Sequence, residues 1–329
     1  MVVGPPVGAR VQLIGSCLAV ARVGIRVGYR HGMWNRVGSI AFIVLLAGCA
    51  AGAAHPQSVR PGTSTTSALS AAPTTTPPPA TVAAPPPPPT TTTISPFARP
   101  RWLGTRPLPL RPDEHGEVQP TPPELVDRRL ATPDDLPPPV GDSFEWAISA
   151  VPEVVLARSS WSPECPVTVD ELAYVTVSHV GFDGVFHTGE LLVNAAWAEA
   201  VVEVFRSLHA ARFPIEQMRI IRAEEIDAPP TGDWNDTTSF VCRPAVGSRG
   251  WSQHAYGLAI DINPFHNPYL KGDLVLPELA SAYIERGYLR PGMIQAGDVV
   301  VSAFADMGWP WGGDWNTLKD WMHFSASGG

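Results

Sequence analysis

The sequence predicts an α+β fold, a small mixed or antiparallel sheet with flanking helices, carried by the second half of the chain. Three observations predict it. Of the 37 prolines among 329 residues, most fall in the first half, so the second half must supply the core. That half contains both β-branched runs and an amphipathic helical run, without regular βαβ alternation. No internal repeat interrupts it.

Taken in order, the chain opens with an export signal. Arg36 precedes an apolar run from Ile40 to Ala47, too short for a membrane-spanning helix and of the right length for a signal peptide. The run ends in Leu46-Ala47-Gly48-Cys49, which resembles a bacterial lipobox. Residues 1–48 are expected to be the signal peptide, with Met33 as an alternative start that would leave out Cys17. Cys49 is the expected lipidated first residue of the mature chain; the alternative is a chance Cys beside an ordinary signal. Residues 49–139 then read as a lipidated N-terminus followed by a Pro/Thr-rich disordered tether. The Pro runs favour extended polyproline II, and some fifty residues of it reach roughly 150 Å at about 3.1 Å each. The folded domain is expected over 140–329.

Within it, Leu172–Ser178 is β-branched and predicts a strand. Phe186–Val193 is its expected partner, joined through the turn signal Phe182-Asp183-Gly184. Asn194 offers an N-cap to a helix over Ala195–Ala211, whose Trp197, Val201, Val204, Phe205 and Leu208 share one face. Met218–Arg222 predicts a short strand, Gly257–Ile262 a buried strand holding one carboxylate, and Val299–Met307 a helix. His187 and Glu190 read as structural, and His266 as surface or a neighbour of the site.

Charge narrows the function. The chain carries 23 basic and 31 acidic residues, net −8, and five Arg with no acidic residue precede Cys49. The remainder is therefore more acidic still, with only Lys271 and Lys319 as lysines. Such a chain is a poor nucleic-acid binder, because phosphate affinity comes largely from Lys and Arg. Beyond Cys49 the only thiols are Cys165 and Cys242. An exported compartment permits a disulfide between them, worth about 3–5 kcal/mol in the loop-entropy model; the alternative is two free buried thiols.

Two short segments carry the chemistry: Ser252-Gln253-His254-Ala255-Tyr256-Gly257-Leu258-Ala259-Ile260-Asp261 and Asp320-Trp321-Met322-His323. Two imidazoles and a carboxylate are what a catalytic Zn2+ needs, since three protein ligands leave a fourth position open. Asp261 interrupts an otherwise buried strand, and an unpaired buried carboxylate is costly. A cation beside it would offset that cost. Asp320, three residues before His323, is placed to act as general base without ligating.

The pattern Ser-x-His-x-x-Gly-x-Ala-x-Asp, then an acidic residue three before a His, resembles the zinc D-alanyl-D-alanine carboxypeptidases. It is similar to the vancomycin-resistance carboxypeptidases and dipeptidases and to the phage L-alanyl-D-glutamate endolysins, which share a fold with hedgehog signalling domains. Asn235–Arg243, Asn263–Tyr269 and Gly308–Trp315 flank the motifs, and the resemblance covers roughly residues 150–325. It implies one Zn2+ per chain on His254, Asp261 and His323, with Asp320 as base where the family often has Glu. It implies a substrate contact for Ser252, a substrate contact or a place in the site wall for Tyr256, and for Arg243 a contact to substrate or to the developing oxyanion. The implied substrates are peptidoglycan stem peptides, with D-Ala-D-Ala carboxypeptidase activity first and an L-Ala-D-Glu or cross-link endopeptidase second. A non-catalytic wall-binding domain of the same fold is the alternative from another class. With the lipobox, this puts the protein on the outer face of the bacterial cytoplasmic membrane, held by its lipid anchor and facing the wall.

Overall fold

A computed structural model of the chain describes residues 95–328. The expected export signal, Cys17, the lipobox-like Leu46–Cys49 and most of the Pro/Thr-rich stretch lie outside the described residues. The described part is mixed α+β, with small, mostly antiparallel sheets and few helices.

In chain order it begins with α1 (Pro123–Val126), β1 (Trp146–Ala150) and α2 (Glu153–Arg158). There follow β2 (Leu172–Val180), β3 (Phe186–Asn194) and α3 (Ala198–Ala210). Next come β4 (Gln217–Met218), α4 (Ala223–Ile226), β5 (Asp236–Thr237) and β6 (Ala259–Asp261). The last are β7 (Tyr269–Lys271), β8 (Leu274–Leu276), α5 (Val299–Asp306), β9 (Lys319–Asp320) and β10 (His323–Ser325).

The expected hairpin forms. β2 and β3 pair antiparallel with Val175 opposite Leu191, and β1 adds to the outer edge of β2. Asn194 accepts a hydrogen bond from Ala196 N and opens a 3-10 turn that runs into α3. Val201, Val204, Phe205 and Leu208 on that helix are buried against Val175, Val177, Leu191 and Val193. Each such side chain, once buried, stabilises by about 1.5–3 kcal/mol. Ile260, Ile262, Phe304, Trp309 and Phe324 close the same core, so the site-bearing strands β6 and β10 rest directly on it.

Three expectations are corrected. Of the strand expected over Met218–Arg222 only Met218 forms one, in β4, whose two-residue ladder with β5 ends there; Arg219 just beyond pairs with Glu225 and Asp236. His266 is wholly buried, not at the surface: its ring stacks on Phe182, and its nitrogens meet Asn235 and the Arg128 carbonyl. The domain also starts upstream of residue 140. Leu125 and Leu130 pack with Phe265, Tyr283 and Leu279, and Arg128 is buried on Glu216 at 2.7 Å. Leu108 N donates to Pro230 O, and Gly116 N to Glu278 Oε1. Pro-rich sequence docks here through turns and one short helix, held by a few apolar and charged anchors.

Other expectations hold in detail. His187 meets Asp134 and Asp183, while Glu190 accepts from Arg158 and Tyr174, and none of these bonds involves His254, Asp261 or His323. Cys165 and Cys242 form a disulfide closing 77 residues. Among the described residues, no helix is long and apolar enough to cross a membrane.

Candidate metal centre

Local rules explain why the first motif holds its shape. Ser252 Oγ accepts from His254 N and caps a 3-10 turn over Gln253–Tyr256. Gly257 ends that turn at φ +64°, where a Cβ would lie 2.5 Å from Asn194 N. Glycine is needed there for both conformation and space. The chain then enters β6, whose last residue is Asp261. β10 runs antiparallel to β6 and sets His323 directly opposite Asp261. On its other side Asp261 exchanges backbone hydrogen bonds with Thr238.

The result is a buried trio. His254 Nε2 lies 3.2 Å from Asp261 Oδ2 and 3.3 Å from His323 Nδ1. His323 Nδ1 lies 3.0 Å from Asp261 Oδ1. A tetrahedral ion with bonds of 2.0–2.1 Å has ligand–ligand edges of about 3.3 Å, so these spacings fit zinc. The donor set fits as well, two imidazoles and one carboxylate. His254 Nδ1 is 2.6 Å from the Ser239 carbonyl. Donation of the Nδ1 proton to that carbonyl leaves the Nε2 lone pair aimed into the trio, the usual outer-shell arrangement of a metal-bound imidazole. Burial opposes ionisation of Asp261, but His254 and His323 outweigh it and hold the carboxyl below its ordinary range.

Asp320 stands beside this group and outside it. It is half-buried, with Oδ1 shielded and without a hydrogen-bond partner. Burial pushes its pKa up to about 7, and the Asp261 charge adds to the rise; His323 and Arg243 act the other way. Arg243 thus lies within electrostatic reach of Asp320, and its guanidinium donates to Pro244 O at 3.2 Å.

Of the residues singled out in the sequence, His254, Asp261 and His323 come together. Asp320 and Arg243 stand near them. Ser252 spends its hydroxyl on the turn. Tyr256 packs on the Cys165, Cys242 and Phe240 cluster, and no hydrogen bond joins its side chain to the trio. Three neighbours of the site were not picked out: Ser239, which acts through its carbonyl; Tyr269, opposite Asp320 on β7; and Trp315, whose ring is 5.5 Å from that of His323. All three sat in the segments flanking the motifs, but a backbone acceptor leaves no signal in the identity of its side chain.

A buried His-Asp-His trio with a separate, raised-pKa carboxylate is the arrangement of a metal-dependent hydrolase. Residues 246–326 match the model of a family described as D-alanyl-D-alanine carboxypeptidase. Over that segment the chain resembles the zinc D-Ala-D-Ala carboxypeptidases, and the match supports a peptidase. Both motifs fall inside the matched segment; Arg243 precedes it. No curated protein and no solved structure matches the chain.

Proposed function

We propose that the chain is a zinc peptidase that hydrolyses peptidoglycan stem peptides, first as a D-Ala-D-Ala carboxypeptidase. The observation that carries this reading is the buried His254–Asp261–His323 trio, spaced for a tetrahedral ion, with Asp320 beside it. A zinc ion held there would polarise the scissile carbonyl and lower the pKa of an attacking water toward about 7. Asp320 would take that water's proton on its carboxylate and hand it to the leaving amine, and a pKa near neutrality suits both transfers. Arg243 would supply positive charge for the substrate's terminal carboxylate or the developing oxyanion. In the first of these roles Arg243 would favour removal of a C-terminal residue over an internal cut; in the second it would favour neither. The lipobox at Cys49 and the Pro/Thr-rich stretch support an exported domain tethered to the outer face of the membrane.

The test measures bound zinc per chain and products from a pentapeptide stem by mass spectrometry. Loss of one terminal D-Ala is expected; internal cuts would replace the carboxypeptidase reading with the endopeptidase one. Asp320→Asn should keep zinc and lose about 10²–10⁴-fold in rate. If it loses zinc instead, Asp320 is a ligand and its assignment is wrong. In cells, Cys49→Ser should abolish lipid labelling; unchanged labelling would rule out the lipobox reading of Cys49.

A further inference from the structure

The segment Trp311–Trp315 reads Trp-Gly-Gly-Asp-Trp, and it lies against the strand carrying Asp320. A Cβ added to Gly312 would sit 2.6 Å from the Asp320 carbonyl oxygen and 3.0 Å from Asp320 Cβ. The first distance forces a shift against backbone, and the second requires Asp320 Cβ to give by a few tenths of an ångström. Gly312 is not in the left-handed region, so its backbone would accept alanine. Glycine is required for space and not for conformation.

The segment itself has little room to retreat. Trp311 Nε1 donates to Trp321 O at 2.8 Å, and Trp311 bridges to Phe324. Lys319 Nζ donates to Gly313 O at 2.9 Å, and Gly313 lies so close under the Trp311 ring that no side chain fits. Trp315 Nε1 donates to Gly328 O. Across the ladder from Gly312, Asp320 pairs in register with Tyr269 of β7. Directly opposed residues of an antiparallel pair hold their Cβ atoms about 4.5–5.5 Å apart. Asp320 is therefore bounded by a packed backbone on one flank and by a buried tyrosine on the other.

We infer that Gly312 is a positioning residue, whose missing side chain sets where the Asp320 carboxylate stands relative to the His254–Asp261–His323 trio. The inference rests on the peptidase reading for the role of Asp320. Gly312 touches neither substrate nor metal ligand in this account; it acts through Asp320 alone.

A double-mutant cycle tests this on the full chain. Gly312→Ala should lower kcat by about 10–100-fold, the effect of a base displaced by roughly 1 Å. KM and bound zinc per chain should stay within about twofold, as no ligand or substrate contact is touched. In an Asp320→Asn background the same change should cost nothing further. Unchanged kcat, loss of zinc, or additive losses in the double variant would overturn the inference. Should Gly312→Ala fail to fold, Tyr269→Ala opens the opposite flank and should give the same pattern; additivity with Asp320→Asn would count against it equally. A parent protein that binds zinc but leaves stem peptides intact would sink the peptidase reading instead. Crystal structures of parent and Gly312→Ala would then decide the inference, an unmoved Asp320 carboxylate overturning it.

Discussion

Asp261 and Glu216 are both carboxylates sunk in the interior, and they are neutralised in opposite ways. Glu216 is enclosed by fixed donors: Arg128 grips both oxygens at 2.7 and 2.8 Å, Arg99 reaches Oε1 and Asn235 reaches Oε2. Burial alone would raise its pKa, but the Arg128 guanidinium, with help from Arg99, brings it below the usual value. Asp261 has no guanidinium. It faces two imidazole nitrogens that are themselves 3.3 Å apart, one of them left as a lone pair by the Ser239 carbonyl. Three electron-rich atoms at such spacing are stabilised together by a shared cation. The closed cluster holds the N-terminal segment onto the domain, and the open one has the form of a working site.

The largest effect should separate the two clusters outright. Asp261→Ala is expected to bring bound zinc close to zero, because two imidazoles hold zinc poorly. Glu216→Gln should leave bound zinc at one per chain. Zinc analysis after dialysis checks both, and equal losses would mean that the clusters are not independent.

The closed cluster should show itself in stability. Arg128 and Glu216 are each almost wholly buried, so Arg128→Leu leaves the carboxylate with Arg99 and Asn235 alone and should cost about 3 kcal/mol. In a domain of this size that lowers Tm by on the order of 10 °C. Zinc content should not change. Adding Glu216→Leu should recover much of the loss, since an apolar pair carries no stranded charge. Calorimetry that finds the double variant no more stable than Arg128→Leu would break this account of the cluster.

The same contrast explains what the sequence could and could not reveal. The open cluster was legible because its members are side chains in two short motifs, and a carboxylate inside an apolar strand stands out. The hairpin and α3 were legible through their periodicity. The closed cluster was not. Arg128 lies in a Pro-rich stretch that composition assigns to a tether, and its partner is 88 residues away. Proline content argues against a core within the stretch itself, but it does not prevent docking when Leu125 and Leu130 find apolar neighbours. His266 misled for a related reason: a histidine in a loop between prolines looks exposed until Phe182 and Tyr283 cover it. Gly312 is a third case, since its importance depends on Asp320, eight residues later in the chain and reached only through folding.

The smallest effect concerns Asp320 in the metal-free protein. Its pKa rises from 3.8 to about 7 on folding, so between those values the folded chain binds more protons than the unfolded one. Stability must then fall as pH rises through that window, and the penalty persists above it. Asn cannot ionise and carries no such penalty. Metal-free Asp320→Asn should therefore melt a few degrees above the parent at pH 8 and no higher than the parent at pH 4. The half-exposed side chain keeps the effect small, because solvent screens it. With zinc bound, the difference should shrink, since a cation beside Asp320 favours its charged form. The measurement is a pair of melting curves at each pH, with and without chelator. A difference that does not vary with pH would show that burial of the Asp320 charge is not what separates the two proteins. A pH-dependent gain would show that the chain gives up stability at the residue to which the proposed reaction assigns proton transfer.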